Sequence, residues 1–161
     1  MANNFTNDGE IQVLSYLLKG VSIKSDGFGG SSAFTFGDGN LYISLHTADP
    51  TETGGVSAEI GTTNTGYSRQ SITFGAGSES SSGTGGASDP GTSMTGPSAA
   101  AGITWTASSD WATGATTVSH FGIHLGATGE MIMFGTLDNA RNVANGDQVK
   151  LSQNALTVKL L

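Results

Sequence analysis

The sequence predicts an all-β protein: a jelly-roll-like β-sandwich with a short N-terminal helix and a long loop rich in Gly, Ser and Thr. Three observations predict it. The 161 residues include 25 glycines, a composition that suits short strands joined by turns better than packed helices. Several short segments alternate apolar and polar residues with a period of two. Turn-forming residues separate these segments at the spacing of a sandwich or jelly roll. A chain of this length buries a single core.

Residues 1–20 read as an N-terminal helical arm. Asn7 suits the N-cap, Glu10 completes a capping box and Gly20 is a stop, while Ile11, Leu14, Leu17 and Leu18 share one face at helical spacing. The arm either closes one end of the sheet domain or docks on a neighbouring subunit. Residues 21–161 form the single β-sandwich domain. After a short strand at 33–36, residues 40–47 (NLYISLHT) place Leu41, Ile43 and Leu45 on one face and Tyr42, Ser44 and His46 on the other. Residues 67–74 and 102–107 are further strands. Residues 118–125 and 131–137 form a hairpin across the two-glycine loop 126–130. Residues 148–152 and 155–161 form a second hairpin across Gln153 and Asn154, after a turn at Asn145, Gly146 and Asp147. Between these, residues 75–97 hold almost no apolar side chain and read as a long, flexible surface loop.

Charge narrows the function. Only 12% of residues are charged, against about 25% in ordinary soluble domains, which suits a surface packed against other proteins. The net charge is −7 with no basic cluster, so nucleic acid, which needs cations opposite its phosphates, is not an expected partner. No apolar run reaches the roughly 18 residues of a membrane span, and no basic segment precedes an apolar one, so neither a membrane nor a secretory leader is expected. The chain has no cysteine, which excludes disulfides, thiolate metal sites and thiol nucleophiles.

The candidates for chemistry are few. His120 and His124 lie four apart on one strand and so face the same way, but roughly 13 Å apart, too far to share an ion held at about 2 Å. His46 could join one of them only through tertiary pairing, so the histidines read as polar-face residues and no metal or other cofactor is expected. Asp38, Gly39 and Asn40 resemble a fragment of a calcium loop but lack its remaining ligands, which leaves a tight turn. Asp49, Glu52 and Glu59 cluster after the first strong strand and could hold a divalent cation in the adjacent loop, but solvated acidic loops are the expected reading. There is no carboxylate pair, nucleophile elbow or phosphate-binding lysine loop in a setting that would support catalysis, so the chain is not expected to be an enzyme. Trp105, Trp111 and Tyr67 belong either to the core or to an exposed sugar-stacking platform, and burial is the expectation.

Five segments occur in a telling order: LYISLHTADPTETG at 41–54, Glu59 followed by GYSRQSI at 66–72, WAT at 111–113, VSHFGIHLGATGEMIMFGTL at 118–137, and ARNVANGDQVKLSQNALTVKL at 140–160. This order resembles a family of small tailed-phage structural proteins, tail fibre or capsid decoration proteins. Its members run from a helix into LYxxLHTADP, then E…GYARQ, then a W…VTHxGI strand and an LTV-containing end. The likeness covers most of residues 1–20 and 40–160, and the loop at 75–97 is longer than the family pattern.

The resemblance implies a phage virion structural protein. Its leading form is a capsid decoration or cement protein, a jelly-roll homotrimer that binds the major capsid protein at capsomer junctions. Such a protein would sit on the capsid surface after assembly in the host cytoplasm. The alternatives are a tail-fibre or baseplate-associated host-contact protein, or a carbohydrate-binding module. Asp49, Glu59, Tyr67 and Arg69 lie in the motif segments and are the candidate subunit-interface residues; Arg69 pairs with Glu59 or with a neighbouring subunit, or is a simple surface arginine.

Overall fold

Alternation in LYISLH sets the centre of the fold. In the computed structural model, which describes residues 14, 18, 41–55, 58–75 and 92–160, this segment is the strand β1 (Leu41–His46). It is followed by β2 (Gln70–Ile72), β3 (Thr92–Gly96), β4 (Ile103–Thr106), β5 (Val118–Leu125), β6 (Met131–Arg141), β7 (Gln148–Leu151) and β8 (Leu156–Leu160). Apart from the helical Leu14 and Leu18, the regular structure of the described chain is β, and its strands pair antiparallel. A four-stranded sheet runs in the order β2-β1-β5-β6, and two ribbons pair β3 with β8 and β4 with β7.

Register decides what each face of the sheet carries. Leu41, Ile43 and Leu45 stand opposite Leu125, Ile123 and Phe121 of β5. Since directly paired residues share a face, this makes one continuous apolar face. It packs into a core with Ile72, Phe74, Met94, Ile103, Trp105, Val118 and Val143, all buried. Tyr42, Ser44 and His46 stand opposite His124, Gly122 and His120 and make up the other face. That second face is also covered: Ser44, His46 and His124 have no exposed surface at all.

Three expectations need correction. The loop drawn over 75–97 ends too late, because residues 92–96 form β3, which pairs residue for residue with β8 and buries Met94 against the core. Its polar composition hid it, since a strand needs only one apolar side chain when its other face meets solvent. Second, β7 and β8 do not form a hairpin with each other. The chain does turn at Gln153 and Asn154, with Asn154 left-handed (φ 57°), but the strands diverge to β4 and β3. Third, the strand expected at 67–74 is only Gln70–Ile72, because Tyr67, Ser68 and Arg69 turn out of the ladder to serve the site described below.

The hairpin β5–β6 forms as expected, and β6 extends four residues beyond the predicted end. The turn at Asn145 and Gly146 also forms, with Gly146 at φ 88° and the Asp147 carboxylate accepting the Ala144 N–H. Leu14 and Leu18, one helical turn apart, are helical and buried in the core cluster. Asn7, Glu10, Ile11, Leu17 and Gly20, the strand at 33–36, the turn at Asp38 to Asn40 and most of the 75–97 loop lie outside the described residues.

Trp105 is buried, and its indole N–H donates to the Ser68 carbonyl at 2.9 Å. Trp111 is half-buried, donates to the Thr65 carbonyl and meets the Tyr67 ring edge-on at 82°. Two of the three aromatics of the supposed sugar platform are therefore core residues, and the three rings do not lie in one plane.

Candidate functional site

The polar face of β1 is where the motif segments converge. Gly122 creates the room. A side chain there would project between His120 and His124, and a Cβ would lie 2.8 Å from Ser44 Oγ and 2.6 Å from Met131 Cε. With hydrogen in that place, Ser44 Oγ reaches both imidazoles, at 2.7 Å from His46 Nε2 and 2.8 Å from His124 Nε2. The Met131 thioether lies over the same gap.

Proton positions follow from the partners. His124 Nδ1 lies 3.1 Å from the Gly129 carbonyl, which can only accept, so Nδ1 carries the proton and Nε2 a lone pair. Ser44 therefore donates to His124 and accepts from His46 Nε2–H. That leaves a lone pair on His46 Nδ1, the one buried side-chain N or O among the described residues without a hydrogen-bond partner.

On the other edge of β1, β2 pairs only with residues 41–43. The segment at 58–60 takes over from there: Thr47 N–H donates to the Ala58 carbonyl, Ile60 N–H to the Leu45 carbonyl, and His46 bridges Glu59. The gap left in the ladder is closed by a side chain, as Tyr67 Oη accepts the Leu45 N–H at 3.0 Å and donates to Glu59 Oε1 at 2.9 Å. Arg69 clasps the same carboxylate with both arms, Nε to Oε1 at 2.9 Å and Nη2 to Oε2 at 2.7 Å. Its Nη1 donates to the carbonyls of Ala127 and Gly129 in the β5–β6 loop. One guanidinium thus ties three stretches of chain together.

Electrostatics match the geometry. Burial would push the Glu59 carboxyl up, but hydrogen bonds from Arg69 and Tyr67, with the Arg69 charge, hold it below the usual carboxylate range. Burial raises the Tyr67 phenol well above its ordinary value, so it stays a donor. Burial lowers His46 to about 4 against a partial pull upward from Glu59. It also lowers His124, with the Gly129 carbonyl opposing. Both imidazoles are therefore neutral at pH 7, as the hydrogen-bond chain requires.

Three of the four candidate interface residues, Glu59, Tyr67 and Arg69, meet in this cluster, and the ion pair of Arg69 is made with Glu59 of the same chain. Asp49 does not join them. It is exposed, and its Oδ1 accepts the Thr51 N–H across Pro50, allowing Thr51 its left-handed turn at φ 62°. His46 and His124, read as polar-face residues, are wholly buried. Sequence reasoning passed over Ser44, Gly122 and Gly129, of which only Gly122 carried a signal: a glycine inside a strand marks a close approach. His46, Glu59 and His124 also each present one ligand-type atom within 4.8 Å of the others, a set that tertiary pairing alone brings together.

Neutral buried histidines make stability depend on acid. Well above pH 6.5 the unfolded and folded chains both hold His46 neutral and no penalty exists. As pH falls below 6.5 the unfolded chain binds a proton that the folded one refuses until about pH 4. Stability should therefore drop by about 3 kcal/mol between those values, with His124 adding to the loss. Urea unfolding across pH 7 to 4, with a chelator present, checks this; a flat profile would contradict a neutral buried His46.

Fold and site together define a small antiparallel β protein whose chemically versatile side chains are tied to one another inside it. Residues 27–159 match the family described as podophage GP4 fiber I protein gp80, and the chain belongs to that family. It is accordingly a phage structural protein. No curated protein matches the chain.

Proposed function

We propose that this protein is a non-enzymatic building module of a podophage fibre, assembling with copies of itself and with other virion proteins. The family match over residues 27–159 carries this reading. It supports a fibre or host-contact position at least as well as a capsid-cement position against the major capsid protein. The site supports a structural role: Ser44, His46 and His124 are fully buried, and Glu59, Tyr67 and Arg69 are engaged with one another. Such a network rigidifies a scaffold and does not present a nucleophile to a substrate. On this reading the fold is a jelly-roll-like sandwich in which the β3–β8 and β4–β7 ribbons cover the apolar face of the four-stranded sheet.

Self-association, as the proposed homotrimer or another symmetric oligomer, is supported at the outer strand of that sheet. β6 pairs only with β5 among the described residues, and it carries Phe134, the large apolar residue left exposed there. A strand edge beside an exposed aromatic is the kind of surface that pairing or packing with another chain removes from water. Immunogold labelling of intact virions, with the copy number by quantitative mass spectrometry, tests the position. Label on the tail at a copy number fixed per tail is expected. Label spread over the head in proportion to the major capsid protein would overturn the fibre reading in favour of cement.

A further inference from the structure

We propose that His46, Glu59 and His124 form a binding site for one late first-row divalent cation, of which Zn2+ is the natural probe. One donor atom from each lies within 4.8 Å of the other two. They come from β1, from the segment bridging β1, and from β5, so an ion would cross-link three stretches of chain. Imidazole and carboxylate are the donor set of zinc and its neighbours. A tetrahedral ion with bonds of about 2.0–2.1 Å needs its ligands roughly 3.4 Å apart, so the three side chains close inward by about an ångström.

The surroundings are those of a ligand set, because each donor is already held from behind. His124 donates Nδ1–H to the Gly129 carbonyl, the outer contact that metal-binding imidazoles characteristically make. His46 donates Nε2–H to Ser44 Oγ, which leaves Nδ1 with a buried lone pair and no donor to fill it. An unfilled buried lone pair is costly, and an ion satisfies it. Only His124 Nε2 is occupied, by the Ser44 hydroxyl, and that hydrogen has a second acceptor in the Gly122 carbonyl at 3.3 Å. Rotating one hydroxyl therefore frees His124 Nε2 without breaking any other bond. Glu59 keeps Arg69 and Tyr67, which take three of roughly four lone-pair directions on its carboxylate and leave one toward the ion. The Arg69 charge weakens the site without closing it.

The test uses the full chain, stripped with a chelator and dialysed. Calorimetric titration with Zn2+ should show one ion per chain. At about a hundredfold excess over the dissociation constant, the thermal midpoint should rise by about 5–10 °C. Co2+ should give the visible absorption of a tetrahedral nitrogen and oxygen site, which needs no variant and so survives any folding defect of one. His124→Gln and Glu59→Gln should each abolish stoichiometric binding, while His120→Gln, which removes an imidazole outside the set, should leave it intact. Absence of stoichiometric binding to the folded wild-type chain would overturn the proposal. So would binding that persists in His124→Gln, or that is lost in His120→Gln alone.

Discussion

Replacing Arg69 with alanine should cost about 3–5 kcal/mol of folding stability at pH 7. The guanidinium is the only cation touching Glu59 among the described residues, and the two side chains are 14% and 13% exposed. Its loss leaves a nearly buried carboxylate with one hydrogen bond, from Tyr67. The loop carbonyls of Ala127 and Gly129 lose their donor at the same time. The penalty belongs to the unpaired charge more than to the lost attraction, and this makes it testable. In the native protein Glu59 titrates below its unfolded value, so its contribution is present above pH 4.5 and fades as pH falls further. Without Arg69, burial dominates and the carboxyl rises above its unfolded value. The difference between variant and wild type should then shrink as pH falls from 7 toward 4. The double variant Glu59→Gln with Arg69→Ala should recover much of the loss relative to Arg69→Ala alone, since it removes both charges together. Chemical unfolding of the four proteins measures the cycle. A double variant as unstable as the sum of the singles would refute the account.

The same cluster shows how far the residues could be read in advance. β1 and β5 were legible because a period of two survives in LYISLH and VSHFGIHL, and a strand buried on its apolar face needs little more. β3 was not legible: TSMTG has one apolar anchor, Met94, and its reason to be a strand is β8, more than sixty residues later. The turn at Gln153 and Asn154 announced that the chain reverses, but it could not announce that β4 and β3 outcompete the neighbouring strand for pairing. His46, Glu59, Tyr67, Arg69 and His124 each stood out singly. Their meeting depends on register, since a slip of one residue between β1 and β5 would send His124 to the opposite face from Ser44. The four-residue spacing of His120 and His124 speaks only to an ion shared along one strand. It left out the diagonal from His46 across Ser44, which the pairing of two strands creates.

The loop that lids this cluster is the most sensitive place to change. Gly129→Ala should destabilise the protein by at least about 4 kcal/mol, in the range reserved for steric or buried-network failures. A Cβ at Gly129 would fall onto the Leu125 carbonyl, which is backbone and cannot swing aside. The loop would have to move, and its carbonyl is what the cluster holds: Gly129 O accepts from both His124 Nδ1 and Arg69 Nη1. Relief of the clash therefore removes an acceptor from a buried imidazole and from a guanidinium together. Gly126, three residues earlier in the same loop, supplies the control. It is left-handed at φ 79° with nothing near its Cβ position, so Gly126→Ala should cost only the backbone strain of about 1–2 kcal/mol. Urea denaturation of both variants gives the ordering, and the Gly129 variant should also lose most of its dependence on Arg69. Equal effects at the two glycines would mean that the loop is held by its own turn alone, and that the carbonyl of residue 129 is not the latch between β5 and the Glu59–Arg69 pair.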